Sequence, residues 1–494
     1  MNLQTSLHEL SEFLALNQEY LLINSAGKSF AFKKDEIEIF AERGRILLSF
    51  LDDKGFQTWR ISNLKQDKRE FILNLTRNFE KEREQIRIIP RISAEELSAE
   101  TEMARLEKAN KLAALIICEN QNSKLVRVSL NKENGRFARI IFEQSKIQIA
   151  VLADVSGTIT PEIYISNAIL WLVKLENRRK NPINEIRLLA EKKVARKLQK
   201  LHALLSEIWK RKIKVFEVSS ENEVEKITEK KSLEIIDLWR EKGVKLNLAE
   251  NPNSSRTARE IIKFAPGKID CIFTKNGETL RFSGLPFARV RKMFDAEKCW
   301  FGIERDKRIL ADKTFEEFEN LLENLEIYRR FDSVYKRHAL FRLAPEAWLE
   351  AALRRNIKLL DANLILSPVY NQFRASGDKI DLLALRRDGR LVIIELKVAS
   401  DREMIFQAAD YWRKIELQRR KGILQKAKIF GTLEISDKPA IIYLVAPTLS
   451  FHRDFKFLSK TISAEIEIYR FDLAENWREN VKVLRREKLS TNAK

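Results

Sequence analysis

The chain has 494 residues, with 91 Lys and Arg against 71 Asp and Glu, and its formal charge of +20 speaks to a polyanionic partner rather than to any fold. No apolar run approaches the ~18 residues needed to span a bilayer, and Cys118, Cys271, Cys299 and four isolated histidines form neither a disulfide framework nor zinc-ligand spacing. A hydrophobic share of 44% with only 14 Gly and 10 Pro describes a globular protein of long regular elements, with length for about three or four domains.

From the N-terminus, Met1 to Leu16 carries Glu9 and Glu12 amid scattered apolar residues instead of a secretion-signal core, so a cytoplasmic protein with no membrane association is expected. Residues 1–92 are expected to form a small α+β domain. Short apolar or alternating runs at 29–32, 37–40, 45–51 and 56–62 read as strands, with Asp53-Lys54-Gly55 as a turn. The charged stretch 71–84 reads as a helix.

Residues 93–248 are expected to form an α+β domain with a long basic helix. Ser93 and Glu96 make a capping-box start for a helix over 94–114, and strands follow at 125–130, 138–142 and 147–153. After the apolar run 164–175 and Pro182, a helix is expected over 184–212. In it Val194, Leu198, Leu201, Leu205 and Ile208 make one stripe. Lys192, Lys193, Arg196, Lys197 and Lys200 crowd the remaining surface, which suits either a nucleic-acid-facing helix or an ordinary solvated basic back.

The sequence then turns polar over 217–232, and Glu250-Asn251-Pro252-Asn253-Ser254-Ser255 reads as a linker into an α+β connecting domain, 249–340. A helix over 256–264 precedes a hairpin over 268–282 with Gly277 in its turn. Leu285 to Lys292 and Trp300-Phe301 interleave aromatics with Arg and Lys, a composition that stacks bases and holds phosphates as readily as it seams domains. A helix over 315–330 follows.

Residues 341–494 carry the chemistry. Pro345 opens a helix bearing Glu346 and Glu350. The stretch 377–398 then reads as two apolar strands joined at Asp388-Gly389, a strong hairpin signal. Asp381, Glu395 and Lys397 interrupt it, the last two sharing a face with Leu391 and Ile393. Buried ions cost several kcal/mol each unless partnered, and two acids brought together by a hairpin call for a hard divalent cation. The earlier hairpin over 268–282 resembles this one locally, but offers Ser283-Gly284-Leu285 where Glu395-Leu396-Lys397 stands. A helix over 401–421 follows, with an apolar stripe of Ile405, Ala408, Trp412 and Ile415, and with Gln407 and Tyr411 one turn apart beside it. The run 440–447 reads as a buried strand.

The order Asp381, Glu395-x-Lys397, Gln407-x-x-x-Tyr411 resembles the PD-(D/E)xK (restriction-endonuclease-like) nuclease superfamily, in its Gln-x-x-x-Tyr branch, over the last third of the chain. The same portion is similar to uncharacterised bacterial proteins sharing Ile-Asp-Leu-Leu, Glu-Leu-Lys and Asp-Tyr-Trp segments. The resemblance implies an α/β protein whose C-terminal domain has a mixed central sheet flanked by helices, following N-terminal α+β domains. It further implies a hydrolase that cuts phosphodiester bonds in nucleic acid, most directly DNA, with Mg²⁺ or Mn²⁺ as cofactor. Asp381, Glu395, Lys397, Gln407 and Tyr411 would be catalytic; Asp381, Glu395 and either Glu350 or Glu346 would serve the metal, with the Leu396 carbonyl. Asp378 reads as a turn residue. The alternative is a catalytically inactive member of the fold that only binds nucleic acid. No phosphate-cradling Gly-x-x-x-x-Gly-Lys loop occurs, so an ATP-driven motor is not expected.

Overall fold

The computed structural model describes residues 3–25, 29–42, 44–52, 55–67, 70–77, 82–91, 94–120, 122–221, 224–243, 253–274, 277–293, 296–303, 307–367 and 381–489. The protein is mixed α/β with several sheets. It divides into two compact units, Met1–Gln199 with Arg211–Lys231, and Lys200–Lys210 with Ser232–Lys494. Among the described residues no helix is long and apolar enough to cross a membrane.

The first unit begins with helix α1 (Leu3–Leu16) and strands β1 (Glu19–Asn24), β2 (Ser29–Lys33), β3 (Ile37–Glu42), β4 (Arg45–Asp52), β5 (Gly55–Asp67), β6 (Glu70–Arg77) and β7 (Glu82–Pro90). They pair antiparallel in the order β2-β1-β7-β6-β5-β4-β3. Leu10 and Phe13 of α1 close its core against Tyr20, Leu48, Phe71, Leu73 and Ile88. The helix expected over 71–84 is instead the hairpin β6–β7. Phe71, Leu73 and Leu75 are buried while Ile72 and Asn74 are half-exposed, a period of two that the following charge run masks in the sequence.

A second sheet follows, built from α2 (Ala94–Glu119), β8 (Ser123–Leu130), β9 (Phe137–Gln144), β10 (Ile147–Asp154), α3 (Pro161–Glu176), β11 (Ile186–Glu191), α4 (Lys192–His202), α5 (Glu207–Lys212), β12 (Ile213–Glu221) and β13 (Val224–Glu229). The single helix expected over 184–212 is therefore a buried parallel strand and two helices. Leu188, Leu189 and Ala190 are buried between β10 and β12, and a short apolar run of this kind has no alternation to set it apart from helix. Within α4, Ala195, Leu198 and Leu201 face inward, whereas Ile208 in α5 is exposed and Trp209 is buried in its place. The polar run over 217–232 largely supplies the hairpin β12–β13.

The second unit continues with α6 (Ile235–Leu238) and α7 (Arg256–Phe264), then β14 (Ile269–Thr274), β15 (Gly277–Phe282), β16 (Leu285–Met293), β17 (Ala296–Phe301) and β18 (Arg308–Ile309), then α8 (Phe315–Tyr328) and α9 (Ala339–Arg342). The five strands form an antiparallel meander. Residues 244–252, with the first half of the expected linker, lie outside the described residues. The chain ends with α10 (Pro345–Arg355), β19 (Leu364–Leu366), β20 (Leu382–Arg386), β21 (Leu391–Leu396), α11 (Met404–Arg420), α12 (Ile423–Lys426), β22 (Ile441–Pro447), α13 (Phe455–Ser459), β23 (Glu467–Leu473) and β24 (Val483–Leu489). Trp348, Leu349 and Leu353 of α10 pack on Val392, Ile394 and Leu396, with Tyr443 and Val445 beside them.

The meander is tied to α10. Buried Arg281 joins Asp270 at 2.5 Å and Glu350 at 3.2 Å. Arg329, 1% exposed, donates to the carbonyls of Phe282, Ser283, Leu340, Leu343 and Ala344. Burial, then Arg478, pulls its pKa down to about 9.

The C-terminal sheet repeats the second sheet strand for strand. Its order is β19-β20-β21-β22-β23-β24, against β8-β9-β10-β11-β12-β13. In both, the first two pairings are antiparallel, the next two parallel and the last antiparallel. A helix precedes each sheet, and another crosses over between its third and fourth strands.

One edge of the C-terminal sheet yields a pH prediction. Glu467 accepts hydrogen bonds from Arg390 at 2.8 Å and Tyr469 at 2.8 Å, and pairs with Lys488 at 3.0 Å. Burial alone would raise its pKa, but these donors outweigh burial and hold it at about 2. A depressed carboxyl contributes stability above its unfolded value of ~4.3 and loses that contribution as pH falls through the folded value. Thermal melts are expected to show Glu467→Gln below wild type at neutral pH, with the gap closing between about pH 4.3 and pH 2.

Candidate active site

The hairpin β20–β21 brings the sequence's polar exceptions to one end of the sheet. Its turn runs through Gly389 at φ +79°, and every residue of β21 is buried because β20 and β22 flank it. Leu391, Ile393 and Glu395 alternate with the residues that pack on α10, so Glu395 lies on the opposite sheet face. It is 3% exposed.

Asp381, just before β20, accepts a hydrogen bond through Oδ2 from the Leu396 backbone N–H at 2.9 Å. That bond sets its carboxylate across from the Glu395-Leu396-Lys397 peptide. Lys397 lies one residue past β21, its own N–H donating to the Val445 carbonyl at 3.0 Å. Its Nζ sits 3.3 Å from Glu395 Oε1 and 3.2 Å from Asp401 Oδ2.

The electrostatics follow from burial and crowding. Burial, and next the Asp381 carboxylate, push the Glu395 carboxyl well above the usual carboxylate range, against the pull of Lys397. Burial would lower the Lys397 ammonium's pKa, but Glu395, Asp401 and Glu346 together raise it. Among the described residues Glu395 Oε2 is buried without a hydrogen-bond partner, and an orphaned buried oxygen of this kind requires a reason.

No protein-family model matches this chain, and no curated protein or solved structure matches it. The site stands on its geometry.

The remaining expected residues divide. Gln407 and Tyr411 are half-buried, one turn apart on α11, and Lys414 lies 5.5 Å from the Tyr411 ring. Glu350 is 2% exposed and held by Arg281 at 3.2 Å, with Arg354 at 3.9 Å. Two guanidinium groups claim this carboxylate, so its place is the seam between the meander and α10. Glu346, also on α10, is among the acids that raise the Lys397 pKa. Asp378 lies outside the described residues.

Sequence reasoning missed Asp401 as a partner of Lys397. Its signal was its position, four residues after Lys397 and just ahead of α11, where Oδ1 accepts the Glu403 N–H at 2.6 Å. Among the described residues no three His, Cys, Asp or Glu side chains form a cation cage. Asp381 with the unpartnered Glu395 oxygen is a pair of hard donors that suits Mg²⁺ or Mn²⁺ completed by water and backbone oxygen.

The repeated topology supplies an internal comparison. Ala153 faces Leu189 in the second sheet as Leu396 faces Val445 in the C-terminal one. On that register Leu152 stands where Glu395 does and Asp154 where Lys397 does. Asp154 spends its oxygens on the N–H groups of Ser156, Gly157 and Ile159, closing a turn. The second sheet thus has the architecture without the acid and amine.

Proposed function

We propose that residues 341–494 form a metal-dependent nuclease domain of the PD-(D/E)xK type, which hydrolyses phosphodiester bonds in DNA. The observation that carries this reading is the meeting of Asp381, Glu395 and Lys397 at one strand end, with Glu395 Oε2 buried and unpartnered among the described residues. The element order supports it: a helix, the strands bearing the acids, the helix bearing Gln407 and Tyr411, then a buried strand. So does the charge of +20, which draws a polyanion.

Asp381 and Glu395 would hold Mg²⁺ or Mn²⁺. When bound, the cation lowers the pKa of its water and offsets charge on the phosphate. Lys397, kept protonated by three acids, presents a fixed cation where negative charge grows on the phosphoryl oxygens. Asp401 and Glu395 fix its direction from two sides. Gln407 and Tyr411 would steer the substrate strand beside Lys397. The test is a gel assay on single-stranded, duplex and branched DNA with Mg²⁺ or Mn²⁺ against EDTA. Cutting that needs the metal supports the reading; salt-sensitive binding with no cutting under any condition overturns it.

A further inference from the structure

One face of the five-stranded meander β14–β18 is apolar. Leu280, Phe282, Ala288, Val290, Cys299 and Phe301 pack under α7 and α8. On the other face Thr279, Arg289 and Trp300 fall in one cross-strand row, Thr279 opposite Arg289 and Arg289 opposite Trp300. Arg291 follows two residues on, with its guanidinium 5.8 Å from the Trp300 ring.

These residues, with Gly302 and Lys307, line a cleft of about 390 Å³ whose described lining includes Arg289, Arg291 and Lys307 and, among the described residues, no acid. Among the described residues, the Nε atoms of Arg289 and Arg291 are buried without hydrogen-bond partners. Burial, and next the neighbouring Arg291, lowers the Arg289 pKa. On the same strands, buried Arg281 is fully matched by Asp270 and Glu350. Among the described residues Arg289 and Arg291 have no such carboxylate beside them in the cleft. Two half-buried guanidinium groups, each with an idle buried Nε–H, suit an anion with several acceptor oxygens, and the indole beside them offers an apolar plane.

We propose that this cleft holds a single-stranded stretch of nucleic acid, an unpaired base stacking on Trp300 and backbone phosphates taken by Arg289, Arg291 and Lys307. A duplex hides the faces of its bases, so an aromatic flanked by cations engages strands whose bases are unpaired. The assignment of that strand as substrate rests on the nuclease reading; the binding itself does not. Arg281 and Glu350 tie the meander to the helix that precedes the candidate active site, so both lie in one compact unit.

The experiment is fluorescence anisotropy in EDTA with labelled oligothymidylate, oligouridylate and a blunt duplex. Trp300→Ala is expected to weaken single-strand binding about tenfold. The double variant Arg289→Ala, Arg291→Ala is expected to lower the salt slope on single strands by about 1.4, roughly 0.7 per lost phosphate contact. Lys307→Glu, at an exposed position, leaves the packed face untouched and is expected to weaken binding as well. Preference for either sugar supports the cleft and names the strand. Unchanged affinity in all three variants, or equal losses on the duplex, overturns it. Binding that falls in the variants while no metal brings cutting would remove the nuclease reading and leave the cleft. Metal-dependent cutting of single strands with unaltered affinity and KM in the variants would do the reverse.

Discussion

Lys397→Ala and Asp381→Asn are each expected to lower metal-dependent DNA cleavage by about 100-fold or more, with folded protein in both cases. The two changes isolate different terms. Asn at 381 retains a side-chain oxygen to accept the Leu396 N–H that Asp381 now takes at 2.9 Å, so the hairpin end is preserved and only the charge that would hold a cation is lost. Ala at 397 removes the ammonium between Glu395 and Asp401. Glu395, already pushed toward its neutral form by burial and Asp381, then has less reason to ionise, which spares the core an unpaired charge. The second sheet offers no reserve centre, because Leu152 and Asp154 stand at the equivalent positions. The measurements are strand cleavage with Mg²⁺ and Mn²⁺ alongside circular-dichroism melts. Full cleavage by either variant would remove that residue from the mechanism.

How far the sequence could take this differs from element to element. The hairpin was legible because three polar residues broke an apolar period of two, and because Asp388-Gly389 fixed the turn. The α11 stripe was legible too: Ile405, Ala408, Trp412 and Ile415 are all buried. Partnerships were not. Glu350 and Arg281 are 69 residues apart, so nothing local to α10 shows that Glu350 serves a seam and Glu346 the lysine. The repeat was hidden for a related reason. The hairpin over 268–282 shares turn chemistry with β20–β21, yet it belongs to an all-antiparallel meander. The sheet that does repeat the architecture lacks the polar residues that would advertise it, and its apolar strands resemble any others.

Gly284→Ala is expected to destabilise the second unit by about 3 kcal/mol or more, and to reduce cleavage with it. Gly284 sits in the Ser283-Gly284 turn between β15 and β16 at φ +83°, and a Cβ there would lie 1.9 Å from the Ala347 carbonyl oxygen and 2.3 Å from its carbon. Neither side can yield cheaply. Arg329 holds the Ser283 carbonyl while also gripping those of Leu343 and Ala344 at the start of α10. Ala347 lies between Glu346, which acts on Lys397, and Trp348, which packs in the core under β20 and β21. Relief of the clash must therefore move α10 against the strands that carry Asp381 and Glu395. Gly267→Ala is the control. Gly267 has nearly the same backbone angle, φ +82°, but no atom within 4 Å of the added Cβ, so it pays only the conformational term of about 1 kcal/mol. The difference between the two variants in chemical denaturation measures the close approach alone. Equal losses in both would mean that the turn is free to lift from α10, and that the meander does not brace the site.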